Sequence, residues 1–156
     1  MSKLILKQVT VHPDWQMNCY VLICPETKHA ALIDPGAEFE KIAAMVGRAQ
    51  VRKILLTHSD IDHIGALAEA REKYRVPVYL HPNDVERTGR DGSIRRVEET
   101  RPLKEGMTVR IGNHSVKTYE VFGHSPGHVV FRFDSRAIVG DTIFPGGPGH
   151  TRTPEQ

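Results

Sequence analysis

Cysteine is almost missing from this chain of 156 residues, which has only Cys19 and Cys24. The two bracket a strand-like run, Tyr20-Val21-Leu22-Ile23. At ~3.3 Å per residue their Cα atoms would stand about 16 Å apart. A disulfide needs them within ~7 Å, so a stapled scaffold is excluded and two reduced thiols are expected. Long apolar runs are missing too. No stretch approaches the ~18 residues of a membrane helix. The opening Met1-Ser2-Lys3-Leu4-Ile5-Leu6-Lys7 has no apolar segment followed by a small-residue cleavage site. No membrane partner is expected, and the default location is the cytoplasm. Charge of one sign is scarce: 21 Lys and Arg against 19 Asp and Glu leave a net +2, too little to point to nucleic acid. The chain has no internal period, which excludes a repeat array.

What is present suits a packed domain. Hydrophobic residues make up 39% and charged residues 26%, outside the range of disordered chains. The length corresponds to one domain over 1–156. Residues 3–11, 19–24 and 29–33 read as strands joined by turns at Pro25-Glu26-Thr27-Lys28 and Asp34-Pro35-Gly36. Residues 37–48 carry Phe39, Ile42, Ala43 and Val46 at helical spacing. Residues 52–57 read as a buried strand, 64–74 as a helix, and 76–80 as a strand that Pro77 assigns to a sheet edge. Residues 82–103, with Arg87, Arg90, Arg95, Arg96 and Arg101, read as a short helix and a long loop of solvated charge. Strands return at 108–111, 115–122, 128–133 and 137–139. Strand–helix–strand units between antiparallel hairpins predict a mixed α/β sandwich.

Three clusters carry chemistry. Thr57-His58-Ser59-Asp60-Ile61-Asp62-His63 follows a strand and precedes a helix, and it holds four metal donors within six residues. On a strand, positions 58, 60 and 62 share a face and 63 opposes them. On a helix, positions two apart point apart. A strand-to-helix turn can make the four converge, or split them into two pairs serving two metals. Imidazole with carboxylate suits zinc, iron or manganese. The second cluster is Gly123-His124-Ser125-Pro126-Gly127-His128, a turn between two strands. The third is Gly140-Asp141-Thr142 at the end of a strand. All three lie at strand ends, where loops of layered α/β proteins build sites.

These clusters, with Met17-Asn18-Cys19-Tyr20, Ile33-Asp34-Pro35-Gly36 and Ile143-Phe144, resemble the metallo-β-lactamase-fold hydrolases over nearly the whole chain. The nearest branch is the glyoxalase II-like (hydroxyacylglutathione hydrolase-like) one. The resemblance implies an αββα sandwich with a two-metal site on one edge. By position, it implies that His58 and His128 hold the first metal, Asp62 and His63 the second, and Asp141 bridges them. It also implies two divalent ions, zinc before iron or manganese, and hydrolysis of a thioester or related ester by a metal-bound hydroxide that Asp62 orients. His124 and Thr142 would stand behind the ligands.

Two departures stand out. The family motif H-x-H-x-D-H has a histidine where this chain has Asp60, and the family's last histidine comes from a segment near its C-terminus that this chain does not reach. Thr153-Pro154-Glu155-Gln156 reads as a helix start: an N-cap, proline at the first helical position, and an acidic first turn. Together these predict a C-terminally truncated domain, with an exposed sheet surface through which copies would associate. As a further metal ligand, Asp60 would cancel the one positive charge left by two cations, two aspartates and a hydroxide. That change weakens the Lewis acid and favours harder ions; the alternative is that Asp60 caps the following helix. Beside a small-molecule hydrolase, the same fold admits an iron-dependent sulfur (persulfide) dioxygenase. A non-catalytic fragment with a weak or single metal site is the remaining reading.

Overall fold

The structure, a computed structural model, describes residues 2–11, 17–89, 91–123 and 125–139, together with the backbone of 143–145. The chain opens with an antiparallel meander, β1 (Ile5–Val11), β2 (Met17–Ile23) and β3 (His29–Ile33). Helix α1 (Phe39–Val46) then crosses to β4 (Gln50–Leu55), parallel to β3. Helices α2 (Ile61–Ile64) and α3 (Leu67–Tyr74) cross to β5 (Val78–Leu80), again parallel. A 3₁₀ turn (Pro82–Asp84) leads into a hairpin of β6 (Glu86–Thr88) and β7 (Ile94–Arg96), and β8 (Thr100–Pro102) joins β5 in parallel. These six strands, ordered β1-β2-β3-β4-β5-β8, form the first sheet. The second sheet is antiparallel: β9 (Thr108–Ile111), β10 (His114–Glu120), β11 (Val129–Phe133), β12 (Arg136–Ile138) and β13 (Ile143–Pro145).

β2 shows why these layers stack. Its residues alternate between the two faces of the first sheet, as strand geometry dictates. Met17, Cys19, Val21 and Ile23 join the core under the helices with Ile42, Val46, Leu67 and Ala70. Tyr20, Leu22 and Cys24 join a second core between the sheets with Val116, Phe131, Phe133 and Ile138. Fully burying a side chain such as Leu22 or Phe131 contributes roughly 1.5–3 kcal/mol. The described residues thus supply helix, sheet and sheet, three layers of the expected αββα sandwich. The outward residues Thr108, Arg110, Ser115, Lys117 and Arg132 make most of the second sheet's far face polar. Among the described residues, no helix is long and apolar enough to cross a membrane.

Three local expectations need correction. The helix expected over 64–74 starts earlier and is two pieces, because the chain packs tightly against the turn after β3. A Cβ at Gly65 would sit 2.1 Å from the Gly36 carbonyl oxygen, and one at Gly36 would sit 2.1 Å from the Asp62 carbonyl oxygen. The Ala66 N–H donates to the Pro35 carbonyl at 2.9 Å. Gly65→Ala is therefore expected to force these turns apart at a cost of about 1–3 kcal/mol, read as a lowered midpoint in thermal unfolding. The strand containing Pro77 was expected at an edge, yet β5 is covered by β8; Pro77 lies just before the strand, and its carbonyl accepts the Ile54 N–H at 2.9 Å. The edge is β8, which contains Pro102. Finally, the expected loop over 82–103 holds three short strands, too brief and too charged to show a periodicity.

Candidate metal centre

Parallel strands point their C-terminal ends the same way, and this end of the first sheet gathers the chemistry. Asp34 follows β3, Thr57 to His63 follow β4, and His81 to Asp84 follow β5. The turn between β10 and β11 brings His128 in from the second sheet. The Val129 N–H donates to the Thr57 carbonyl at 2.9 Å, which seats His128 beside His58. The ring centroids of His58 and His128 are 4.7 Å apart, and those of His58 and His63 are 4.0 Å apart. All three histidines are buried. Asp60 and Asp62 complete the group: Asp60 Oδ2 lies 3.5 Å from His58 Nε2, and Asp62 Oδ2 lies 3.6 Å from His63 Nε2. Thus the structure brings together His58, Asp60, Asp62, His63 and His128. His124, Asp141 and Thr142 lie outside the described residues, as do residues 146–156.

Asp34, read from sequence as part of a turn and of a family landmark but given no role at the site, determines how His58 and His63 point. It is fully buried and holds a left-handed backbone, φ 55°. Its Oδ1 accepts the Thr57 N–H at 2.8 Å; its Oδ2 accepts the Thr57 hydroxyl at 2.6 Å and His63 Nδ1 at 2.9 Å. With its hydrogen given to Asp34, the Thr57 oxygen accepts from His58 Nδ1 at 2.9 Å. Both Nδ1 atoms are therefore the protonated ones, and the lone pairs sit on Nε2, the atoms facing Asp60 and Asp62. A carboxylate behind an imidazole is the usual device for presenting a histidine to a metal. Asp34, His58 and His63 lie close enough to share one ion, but the Asp34 oxygens are already committed to three donors, so Asp34 orients the ring.

A second buried carboxylate joins the two donor loops. Asp84 Oδ2 accepts the Ser59 N–H at 2.7 Å, and Asp84 Oδ1 accepts the Gly127 N–H at 2.8 Å. The Ser59 hydroxyl donates to the Asp84 carbonyl at 2.6 Å. Arg87 Nη1 bridges Asp84 Oδ2 at 3.2 Å and Asp60 Oδ1 at 3.1 Å. Arg95 donates to the Ser59 carbonyl at 2.7 Å. Two of the arginines expected to be solvated therefore hold the site; Arg96, paired with Glu86 and Glu98, lies on the surface as expected. Asp60 occupies the N-cap position of α2 without a side-chain cap bond, so the capping alternative does not hold. No signal in Pro82-Asn83-Asp84 marks Asp84; only the fold brings it to Ser59 and Gly127.

The donor set suits a divalent cation. Two imidazole lone pairs each face a carboxylate oxygen at 3.5–3.6 Å, close to the ~3.3 Å edge between N and O ligands of a tetrahedral site. Comparison with known proteins agrees. The family model for the metallo-beta-lactamase superfamily matches residues 12–155. The chain is 36% identical to "Probable metallo-hydrolase YqgX" of Bacillus subtilis, over 87% of this chain and 70% of that protein. It is 28% identical to the hydroxyacylglutathione hydrolase GloC of Haemophilus influenzae, over 90% of this chain and 73% of the relative. Among solved structures, TTHA1623 in a di-iron-bound form superposes with a TM-score of 0.70 at 34% identity, over 95% of this chain and 78% of that one. Sequence, fold and donor set thus agree that the chain belongs to the metallo-beta-lactamase superfamily.

Proposed function

We propose that the chain is a metal-dependent hydrolase of the glyoxalase II-like branch, acting on a thioester or related ester. The observation that carries this reading is the convergence of three buried imidazoles and two carboxylates, with the Nε2 lone pairs of His58 and His63 turned inward. The similarity to hydroxyacylglutathione hydrolases supports the branch. His58, Asp60, Asp62, His63 and His128 would hold one or two divalent ions, with Asp141 as a further ligand. Such ions supply Lewis acidity for polarising a carbonyl and lowering the pKa of water.

The chain's own residues do the rest. Asp34 and Thr57 keep the two Nδ1 protons in place, so the lone pairs need no rearrangement. Asp62, a quarter exposed, would hold an ion and orient a water entering the site. Arg87 beside Asp60 returns the positive charge that an extra carboxylate removes, which offsets the weakening of the Lewis acid expected for this substitution. Ile61 and Phe122, both exposed next to donor loops, offer apolar contact to the acyl part of a substrate.

The test is thioester hydrolysis by the metal-loaded chain, run beside oxygen uptake with a persulfide and elemental analysis. Thioester turnover with bound metal supports the proposal. Oxygen uptake without thioester turnover replaces it with the dioxygenase reading, and one ion or fewer with neither activity replaces it with a binding fragment. Asp60→His is expected to raise zinc affinity and any hydrolytic rate by exchanging a hard donor for an imidazole. A fall in zinc content would show that position 60 does not reach the ions.

A further inference from the structure

The opposite end of the strands holds a second group of donors. Cys24 pairs in depth with His29 at the start of β3, its N–H donating to the His29 carbonyl at 2.8 Å. Asp34 is five residues further along, about 17 Å away at strand rise. In this turn Cys24 Sγ lies 3.5 Å from Glu26 Oε1. His114, at the start of β10 in the other sheet, places Nε2 3.2 Å from the same Glu26 oxygen. The three ligand atoms all lie within 4.8 Å of one another.

We propose that Cys24, Glu26 and His114 form a separate metal site for a zinc-type divalent cation, pinning the turn between β2 and β3 to the turn between β9 and β10. The spacing matches the chemistry. Tetrahedral zinc with its usual bond lengths has S–O edges of about 3.5 Å and N–O edges of about 3.3 Å, against 3.5 and 3.2 Å here. A thiolate with an imidazole selects zinc-like ions over magnesium or calcium. Three protein donors leave the fourth corner to water. The Ser2 hydroxyl, 3.1 Å from His114 Nε2, gives way to the cation.

The surroundings prepare the sulfur as a ligand. The Asn113 N–H points at Sγ at 3.5 Å. Burial pushes the Cys24 thiol up, but hydrogen bonds from the Thr27 side chain and from the backbone at Asn113, Thr27 and Glu26 outweigh it and leave it below its usual value. The two turns are already in contact: Gly112 has φ +59°, and a Cβ there would sit 2.7 Å from Cys24 Sγ and 2.3 Å from Thr27 Oγ1. Binding exchanges the thiol proton, which faces Glu26, for the cation, and the proton leaves to solvent.

The test is titration of the full chain with cobalt(II) alone. Sulfur is absent from the donor set at the other end of the sheet. Cys19 is enclosed in the helix-side core, where burial, with help from Asp34, pushes its thiol far up. A thiolate-to-cobalt charge-transfer band therefore reports Cys24. The band is expected in the wild-type chain and in the His58→Ala/His63→Ala variant, and it is lost in Cys24→Ser. Its absence from the wild type, or its survival in Cys24→Ser, overturns the proposal. If Cys24→Ser does not fold, His114→Ala, a change at the first residue of β10, must lose the band, and retention overturns the proposal equally. Because the readout is sulfur-specific, failure here is distinct from failure of the hydrolase reading.

Discussion

Replacing Asp84 with alanine is expected to lower stability by about 3–5 kcal/mol, the cost of breaking a buried charged pair, and to strip the candidate centre of metal. The carboxylate is fully buried, and its loss orphans two N–H donors at once, those of Ser59 and Gly127, and leaves Arg87 with Asp60 alone. An unsatisfied buried donor alone costs about 1–3 kcal/mol. For a chain of this size the melting midpoint should fall on the order of 10 °C. Metal should go as well, because Asp84 is what ties the loop of His58, Asp60, Asp62 and His63 to the loop of His128. Asp84→Asn tells packing from acceptance. It keeps the volume and one acceptor oxygen but offers an N–H₂ where Ser59 or Gly127 needs an acceptor, so a smaller loss of stability with a similar loss of metal is expected. Unchanged metal content in both variants, by elemental analysis after dialysis, would show that the two loops keep their places without this carboxylate.

Asp34→Asn is expected to act on metal more than on fold. Asparagine tolerates the left-handed backbone found here, and it fits the same space. It cannot accept from all of Thr57 N, Thr57 Oγ1 and His63 Nδ1. If the amide nitrogen faces His63, the imidazole does best by moving its proton to Nε2, which removes the inward lone pair. Loss of such an orienting partner costs roughly 10–100-fold in metal affinity. The chain should still unfold cooperatively, with metal content reduced after dialysis against a weak chelator. Equal affinity in the variant and the wild type would assign Asp34 to holding Thr57 and its turn alone. Asp34→Ala should lose both fold and metal, since it leaves the buried Thr57 N–H with no acceptor.

The donors were legible in the sequence because four of them crowd into six residues and a fifth sits in a glycine-proline turn. Spacing of that kind depends on local geometry, so a strand-to-helix turn after Ile54-Leu55-Leu56 was predictable without any partner. The strand over 19–24 and the helical spacing of Phe39, Ile42 and Val46 were legible for the same reason. The superfamily resemblance rests on these landmarks, and the match over residues 12–155 agrees with it.

The groups that hold the donors in place were not legible. Asp84, Arg87 and Arg95 lie in a polar segment whose charges look solvated one residue at a time, and short strands of three residues carry no period to announce them. Their partners are 25 to 43 positions away in sequence. Only the parallel register of β3, β4, β5 and β8 brings those strand ends to one edge, where a carboxylate can be buried because three donors meet it. Cys24 and Glu26 meet His114, 88 residues from Glu26 along the chain, because the two sheets stack and bring the turn between β2 and β3 against the turn between β9 and β10. The sequence by itself determined which atoms can donate to a cation. Sheet packing decided which of them face each other, because burial of a charge is tolerable only where the fold supplies its counterparts.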